Sequence, residues 1–348
     1  DIRRSVLRMN VPYFTTVAAA NAAVEAIKVL KINEIEYYFD TNYIDDFQDV
    51  IGQDMAKNAA VISSAGCHNI IFEGSPGCGK SMISKRLKYI MPPMNLEEIL
   101  EKAKLQSLDY KEVDFLPIRA FRSPHHSSTK SSIFGGGSSN AKMGEIALSN
   151  NGILFFDELP HFSKSILEAL REPLEDNKIL FSRVNTKIMY ETKFIFIAAM
   201  NPCPCGNLLS SVKECRCNEM EIQRYKGRLS EPFLDRIDLY VVMNDAFSDN
   251  KNFVSSKELH EKVISAFIKQ KKRGQSELNG KLRDEDIKKY CILDDESENI
   301  LEKAKINYQL SFRSINKVLK VARTIADLNN NEIITKNDLL QSLSFRKR

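Results

Sequence analysis

The residues best suited to chemistry form a glycine-rich loop, GSPGCGKS, at residues 74–81. The loop fits the pattern G-x-x-x-x-G-K-S/T, follows the apolar run NIIFE and precedes a helical pattern, which is the context that a phosphate-binding loop requires. In such a loop Lys80 would reach the β- and γ-phosphates and Ser81 would ligate Mg²⁺. A chance glycine turn is the alternative, and the flanking pattern disfavours it. The predicted ATP-binding residues are Gly74, Ser75, Pro76, Gly77, Cys78, Gly79, Lys80 and Ser81.

Polar side chains end two further apolar runs. GILFFDE ends in Asp157 and Glu158, and FIFIAAMN ends in Asn201. Asp157 is placed to hold the Mg²⁺ shell, and Glu158 to polarise the attacking water as a general base. Asn201 could orient that water or contact the γ-phosphate. Two solvated carboxylates and a plain turn Asn are the alternatives, and the phosphate loop upstream favours the catalytic interpretation.

Several arginines could neutralise charge on a transferred phosphoryl group, from within the chain or from a neighbouring subunit. Arg224 and Arg228 lie in EIQRYKGRL, and Arg236 lies in EPFLDRIDL. Arg313 lies near the start of SFRSINKVLKVARTIADL and could reach a nucleotide if its helical domain closes over the site. Surface salt bridging is the alternative for each of them.

Four of the seven cysteines crowd into fifteen residues as C-P-C-x₉-C-x-C. In a chain without an apolar leader, such clustering favours a metal over disulfides. Cys203, Cys205, Cys215 and Cys217 could hold tetrahedral Zn²⁺, although the two C-x-C pairs are tighter than the usual spacing. Buried apolar thiols or redox pairs are the alternatives. Because the two cysteine pairs directly follow Asn201, a bound metal would stabilise the loop that positions this side chain.

The remaining cysteines and a histidine pair carry weaker signals. Cys67, Cys78 and Cys291 are expected to be ordinary thiols, although Cys78 lies inside the phosphate loop. His125 and His126 have no cysteine or acid close in sequence, so we expect a structural role for them rather than metal binding.

The elements that must position these residues follow from the apolar pattern. Between residues 44 and 250, continuous apolar runs alternate with helical segments, which predicts an α/β layer with a buried parallel sheet. The predicted strands are NIIFEG (69–74), GILFFDE (152–158), KFIFIAAMN (193–201) and DLYVVM (238–243). Residues 119–151 and 179–192 break the alternation and are interpreted as insertions, the second a hairpin with its turn near Asn185.

The two ends of the chain have different patterns. Residues 1–43 contain one amphipathic helical stretch that cannot bury its own apolar face, and we interpret them as the end of a larger domain or a linker helix. Residues 251–348 are predicted to form a small all-helical domain, in which Ser, Asp and Thr are placed as helix N-caps.

Composition supports a packed protein, with 43% hydrophobic and 28% charged residues among 348. No apolar run approaches the roughly 18 residues of a membrane helix, so we expect a cytoplasmic protein that does not act at a membrane. The net charge is only +4, but residues 251–348 carry 21 Lys and Arg against 14 Asp and Glu. Charge alone therefore neither requires nor excludes nucleic acid.

Six segments, taken in order, resemble AAA+ ATPases and, more narrowly, the magnesium-chelatase-like ComM (YifB) proteins. They are GSPGCGKS, FRSPHH, GILFFDELP, AAMNPCPCG, QRYKGRLSEPFLDRIDL and FRSINKVLKVARTIADL. The resemblance covers about residues 44–348, and FRSPHH and AAMNPCPCG are its most specific parts. It implies a P-loop αβα core with a helical lid, assembled as a ring, usually a hexamer, with ATP between subunits. Full-length members begin with a Lon-protease-like domain, of which residues 1–43 would hold only the last helix or so.

The resemblance also implies roles for particular residues. The loop 74–81 would be Walker A, and Asp157 with Glu158 would be Walker B. Asn201 would be sensor 1, Arg236 the arginine finger, and Arg313 the sensor 2 arginine. Residues 119–151 would be an insert within helix 2, and residues 179–192 a pre-sensor hairpin. Both insertions point into the central pore in related proteins.

The resemblance implies a DNA helicase that drives branch migration in natural transformation, with single-stranded or branched DNA as partner. Arg183 and Lys187 at the hairpin tip, and the basic stretch KQKKRG at residues 269–274, could contact phosphates. A solvated charged surface is an equally good interpretation of these residues. In a ring, however, one pore-facing lysine per subunit would give a belt of positive charge for phosphate contacts. A metal-chelatase motor and a protein-remodelling ATPase remain as alternative functions.

Overall fold

The structure is a computed structural model that describes residues 45–109, 113, 115–136, 143–183, 186–245 and 253–346. For residues 181–183 and 186–188 it describes the backbone alone. The interpretation of residues 1–43 as the end of a preceding domain lies outside the described residues.

Seven strands are described, and five of them form one sheet whose strands all run parallel in the order β2-β3-β6-β1-β7. Strands β1, β3 and β6 are buried along their whole length, as their continuous apolar sequences predict. The strands are β1 Ile70–Gly74, β2 Phe121–Arg122, β3 Ile153–Phe156, β4 Lys178–Arg183, β5 Thr186–Glu191, β6 Ile195–Met200 and β7 Leu239–Met243.

Helices cover both faces of this sheet and fill the C-terminal region, so the predicted α/β core followed by a helical lid is confirmed. The helices are α1 Asp54–Gly66, α2 Lys80–Arg86, α3 Leu96–Leu108, α4 Lys130–Phe134, α5 Glu145–Leu148, α6 Lys164–Ala169, α7 Arg171–Asp176, α8 Glu219–Lys226, α9 Glu231–Leu234, α10 Ser256–Lys272, α11 Asp284–Tyr290, α12 Asp295–Asn307, α13 Phe312–Leu328 and α14 Lys336–Ser344. No helix among the described residues is both long enough and apolar enough to cross a bilayer.

One strand corrects the sequence-based strand assignment. Residues 119–151 were expected to be an insertion, but Phe121–Arg122 within them form β2, which pairs in parallel with β3 at Ile153 and Leu154. Two residues are too short to give an apolar run, so the pattern could not indicate a strand. Just before β2, Arg119 donates hydrogen bonds to the Pro92 and Asn151 carbonyls and so fixes the edge strand in place.

Strands β4 and β5 form an antiparallel hairpin outside the main sheet. Ser182 pairs with Lys187 and Arg183 pairs with Thr186, so both candidate DNA-contact residues lie at the tip end of the hairpin. Their side chains, and the predicted turn near Asn185, lie outside what the structure describes.

Two apolar layers lie on the two faces of the sheet, because successive side chains of a strand point to opposite faces. On β1, Ile70 and Phe72 join one layer and Ile71 the other. The first layer also contains Val263 of α10 and Ile325 of α13, so these lid helices pack into the same core as the sheet. The position of the lid relative to the strand ends is therefore fixed by apolar contact.

Ser, Asp and Thr do cap the lid helices as their sequence positions predict. Ser255 caps α10, Asp294 caps α12 and Ser311 caps α13 through side-chain hydrogen bonds to backbone N–H groups. Thr335 and Asp338 form a capping box at α14.

The chain divides into two compact units, and residues 93–118 lie in the smaller one. Its described helix, α3, begins with a capping box between Asn95 and Glu98. Lys102 of this helix donates hydrogen bonds to the carbonyls of Leu116 and Ile118.

Candidate nucleotide site and cysteine cluster

The candidate catalytic residues follow the carboxyl ends of three neighbouring strands. The loop 74–81 begins at the last residue of β1, Asp157 and Glu158 follow β3, and Asn201 follows β6. In the sheet Phe156 is level with Ala198, and Ala198 is level with Ile71. These three strands therefore end at one edge of the sheet, where open α/β folds bind their ligands.

Glycine is required at particular points of the loop. Gly77 and Gly79 have φ of +84° and +96°, a conformation that L side chains rarely adopt. At Gly74 an added Cβ would lie 2.7 Å from both the Cys78 Sγ and the Met243 carbonyl oxygen. The loop can therefore turn tightly over the sheet and enter α2 at Lys80 only with these residues.

Lys80 ties the loop to the end of β6. Its Nζ donates to the carbonyl oxygens of Gly74 at 2.6 Å and Ser75 at 2.8 Å, and to the Asn201 Oδ1 at 3.2 Å. Burial lowers the pKa of Lys80, an effect that the nearby Cys78 and Asp157 groups oppose. An ammonium has three donors, so a phosphate oxygen bound here would replace one of these acceptors.

The two predicted Mg²⁺ ligands meet directly. The Ser81 hydroxyl donates to the Asp157 Oδ2 at 3.0 Å, although 76 positions separate the two residues in the chain. A hydroxyl and a carboxylate oxygen are ligands of the type that Mg²⁺ takes beside nucleotide phosphates. The pair therefore fits a Mg²⁺ ion, with the serine bond giving way to the metal.

Glu158 is held in an unusual backbone conformation beside a histidine. Its φ is +52°, which is rare for a residue with a side chain, and such strain collects at functional sites. The Nδ1 of His126 lies 3.4 Å from the Glu158 Oε2. The His126 ring also lies near those of His125 and His161, with centroids 4.1 Å and 5.8 Å away.

The histidine contact was not predicted. His126 has no acid close in sequence, and only the parallel pairing of β2 with β3 brings the segment after β2 beside the end of β3. Since β2 itself had no sequence signal, the spacing of residues could not reveal this neighbour of Glu158.

The two candidate phosphate-sensing arginines share one carboxylate. The Nη2 atoms of Arg236 and Arg313 lie 2.9 Å and 2.8 Å from the two oxygens of Glu175. The Arg236 side chain is 11% exposed and that of Arg313 is 45% exposed. Of the other candidates, Arg228 donates to the Pro160 carbonyl. Sequence reasoning brought Arg236 and Arg313 forward separately and missed Glu175.

The four clustered cysteines converge in the structure. Their sulfurs all lie within 4.8 Å of one another. Cys203 Sγ lies 3.4 Å from Cys205 Sγ and 3.7 Å from Cys215 Sγ, and the latter two are 3.7 Å apart. Four sulfurs placed tetrahedrally at the Zn–S distance of about 2.3 Å lie about 3.8 Å apart. The spacing therefore fits Zn²⁺.

At Cys205, backbone N–H groups favour the thiolate form, which is the form that binds metals, whereas burial and the neighbouring cysteines raise the pKa of Cys215 and Cys217. Hydrogen bonds from Asn207 and Arg216 lower the pKa of Cys205 to about 6. Elsewhere, burial raises the pKa of Cys78 and raises that of Cys291 to about 12. Cys78 and Cys291 are therefore protonated at neutral pH, as expected of ordinary thiols.

Comparison with known proteins agrees with this geometry. Residues 46–251 match the model of magnesium chelatase, subunit ChlI, and residues 254–346 match the model of its C-terminal region. The chain is 41% identical to the uncharacterized protein YifB of Salmonella typhimurium over 311 residues, and 40% identical to the competence protein ComM of Haemophilus influenzae over 308 residues.

Each of these alignments covers 86% of this chain and 60% of the relative, so the chain spans about 60% of the length of these proteins. YifB of Escherichia coli is 41% identical over 308 residues with the same coverage. The first family model alone matches more than half of the chain. A match of this extent shows the family: the chain belongs to the magnesium-chelatase-like AAA+ proteins, the family of YifB and ComM.

Proposed function

We propose that this chain is the motor part of a ring-forming ATPase that acts on DNA as a branch-migration helicase. The ATPase part of this proposal rests on the geometry at three neighbouring strand ends. There the Ser81 hydroxyl donates a hydrogen bond to Asp157, and the Lys80 ammonium donates one to Asn201. An ammonium, a hydroxyl and a carboxylate within hydrogen-bond distance at one sheet edge are the groups that a Mg²⁺–ATP complex requires.

Each residue at this edge has a role in the proposed reaction. Lys80 binds the β- and γ-phosphates, and Ser81 and Asp157 hold Mg²⁺, which neutralises phosphate charge when bound. Glu158 accepts a proton from the attacking water, and Asn201 orients that water. Because Glu158 contacts His126, the carboxylate must leave this contact or share it when it binds water.

Arg236 acts from the neighbouring subunit of the ring in this proposal. Arg236 stabilises the charge that develops on the transferred phosphoryl group of that neighbour. Arg313 contacts the same Glu175 carboxylate as Arg236, so the two guanidinium groups lie close together. A phosphate would compete with Glu175 for both of them.

DNA as the substrate is supported by the family and by the hairpin. The relative from Haemophilus influenzae is named a competence protein, and the β4–β5 hairpin places Arg183 and Lys187 at its tip end. In a ring, six hairpins would bring these charges into one channel, where phosphate contacts depend on Lys and Arg. In the basic stretch at residues 269–274, Lys269 and Arg273 donate hydrogen bonds to Asp327. The exposed Lys271 and Lys272 are therefore its candidates for further phosphate contacts.

Measuring ATP hydrolysis with and without single-stranded and forked DNA tests this proposal. We expect DNA to stimulate hydrolysis, and Lys187→Ala to lose that stimulation. Lys178→Ala, at the exposed base of the same hairpin, is the matched control and should keep it. A protein that hydrolyses ATP at one rate whether or not either DNA is present does not act on DNA as proposed.

The cysteine cluster is proposed to bind one structural Zn²⁺. The support is the convergence of Cys203, Cys205, Cys215 and Cys217 with sulfur spacings that fit tetrahedral coordination. Elemental analysis of the purified chain should give about one zinc per chain, as expected for a site with four protein ligands. Loss of the metal on Cys217→Ser should follow.

A metal-chelatase motor is the second candidate, since both matching family models describe subunit ChlI of magnesium chelatase. Hydrolysis that depends on a porphyrin-binding partner subunit and ignores DNA would favour this candidate.

A further inference from the structure

The cysteine-bearing segment lies directly against the phosphate loop. Between the end of β6 and the start of α8 the chain forms turns and bends but no helix or strand. Cys203 comes two residues after Asn201, and Asn201 contacts Lys80. A segment without regular structure is therefore the neighbour of the residues that bind phosphate.

A close approach to the loop occurs at Gly206, which follows Cys205. Its φ is +81°, and an added Cβ would lie 2.7 Å from Cδ and 2.8 Å from Cγ of Pro76. Real Cβ atoms essentially never come so close to another heavy atom. Pro76 belongs to the phosphate loop. The backbone between two of the cysteines therefore packs against that loop and leaves no space for a side chain at Gly206.

Three further contacts hold the chain on the C-terminal side of this point. Ser210 Oγ and the Ser211 backbone N–H each donate to the Asp245 Oδ2 at 2.8 Å, just after β7. Beyond the last cysteine, Lys226 of α8 lies 2.8 Å from the buried carboxylate of Glu73. Glu73 directly precedes Gly74, so the helix that follows the segment is bound to the strand that leads into the loop.

We propose that Zn²⁺ bound by the four cysteines acts as a clamp on the phosphate loop, so that nucleotide affinity depends on this metal. The proposal rests on the zinc and nucleotide sites proposed above and adds a coupling between them. Four metal–sulfur bonds replace the secondary structure that the segment lacks, because metal binding and local folding are linked. Without the metal, Gly206 and Asn201 are no longer held against Pro76 and Lys80.

Thermodynamic linkage makes this coupling reciprocal. If zinc strengthens nucleotide binding by some factor, the nucleotide must strengthen zinc binding by the same factor. The clamp therefore predicts two measurable effects of equal size, one on nucleotide affinity and one on zinc affinity, and neither requires ATP hydrolysis.

The first experiment uses the full chain, zinc-loaded and chelator-stripped, titrated with a fluorescent ATP analogue. We expect stripping to weaken binding about tenfold, within the usual range for coupled sites, and zinc reloading to restore it. Competition with a colorimetric chelator, with and without the analogue, should show zinc held more tightly by the same factor when nucleotide is bound.

Each failure has its own signature. A chain that never contains zinc overturns the metal site and the clamp with it. Zinc-loaded protein that binds no nucleotide overturns the proposed nucleotide site. Nucleotide affinity that is equal in loaded and stripped protein overturns the clamp alone and leaves both sites standing.

A second variant guards against general misfolding of the stripped chain. Gly206→Ala keeps all four thiols, so it should retain zinc while binding the nucleotide analogue several-fold more weakly. Gly274→Ala is the matched control, since Gly274 has φ of +76° and no heavy atom within 4 Å of the added Cβ. Adding Pro76→Ala to Gly206→Ala removes the atoms that the new Cβ meets and should recover part of the affinity. Equal affinities for Gly206→Ala and Gly274→Ala would contradict the clamp.

Discussion

At the phosphate loop, individual side chains already hold one another in the arrangement that the proposed reaction needs. Lys80 and Ser81, at the start of α2, contact Asn201 and Asp157 at the ends of two other strands. The roles of these residues could be proposed from sequence, because the loop motif and the polar ends of apolar runs are local signals. Glu175 and His126 could not, because Glu175 meets the two arginines and His126 meets Glu158 only through the fold.

Replacing Glu158 separates nucleotide binding from hydrolysis. We expect Glu158→Gln to bind ATP as the wild type does and to hydrolyse it about 10² to 10⁴ times more slowly, since a general base contributes that range. Nucleotide titration and phosphate release measure the two quantities. Glu298→Gln on the exposed side of α12 is the control and should leave both unchanged. Wild-type hydrolysis by Glu158→Gln would rule out the proposed base.

The two arginines on Glu175 should differ in their effect on stability. Arg236 is nearly buried, and its loss removes both the ion pair with Glu175 and the hydrogen bond from its Nη1 to the Pro232 carbonyl. Arg236→Ala should therefore lower the free energy of unfolding by about 1.5–3 kcal/mol, the range for hydrogen bonds to charged groups. Arg313 is half-exposed, and an exposed ion pair contributes only about 0–1 kcal/mol. Urea unfolding of the two variants measures the difference. A larger loss for Arg313→Ala than for Arg236→Ala would contradict this account.

At the scale of elements, apolar pattern and capping residues predicted most of the architecture. Strands β1, β3 and β6 follow from continuous apolar runs, and the lid helices from their caps. Strand β2 could not be predicted because two half-buried residues carry no periodicity. The packing of α10 and α13 into the core of the sheet also had no local signal, because it depends on contacts between residues far apart in the chain.

One buried histidine joins the lid to the core and should make stability depend on pH. The Nε2 of His68, before β1, lies 2.7 Å from Thr324 Oγ1 of α13. Burial lowers the pKa of His68 from 6.5 to about 4, with the nearby Asp238 opposing that effect. The unfolded chain therefore binds a proton on this residue at a higher pH than the folded chain does.

The sign of the effect follows from linkage. Folding stability should fall as the pH decreases from about 6.5 to about 4 and be fully present above that window. His68→Gln should flatten the slope of unfolding free energy against pH in this window. Urea unfolding of wild type and variant at each pH measures this slope. An unchanged slope in the variant would show that other groups carry the acid sensitivity.

At the scale of the whole molecule, the proposed ring would explain how a weakly charged chain could act on DNA and why arginines could matter to a site that they do not touch. The chain has a net charge of only +4, yet a symmetric assembly repeats each hairpin and each arginine pair around one axis. Neither the size of the assembly nor its partner has a sequence signal independent of the family, because both depend on contacts between chains.

Mixing two inactive variants tests whether Arg236 acts on a neighbouring subunit. Glu158→Gln keeps the arginine but lacks the base, and Arg236→Ala keeps the base but lacks the arginine. If Arg236 serves the neighbouring site, mixed rings contain complete sites and should recover part of the hydrolysis rate. Mixtures that stay as inactive as either variant alone, under conditions where subunits exchange, would place Arg236 in its own subunit's chemistry or outside it.

Glu175 has a mechanical consequence that follows from its place in the chain. It lies three residues before Lys178, where β4 begins, and three residues span at most about 11 Å when fully extended. A short stretch of chain therefore joins the carboxylate that contacts both arginines to the hairpin that carries Arg183 and Lys187. If the hairpin moves by more than this length of chain allows, Glu175 must move with it. A force that a bound polymer exerts on the hairpin would therefore change the contacts of Glu175 with the two guanidinium groups.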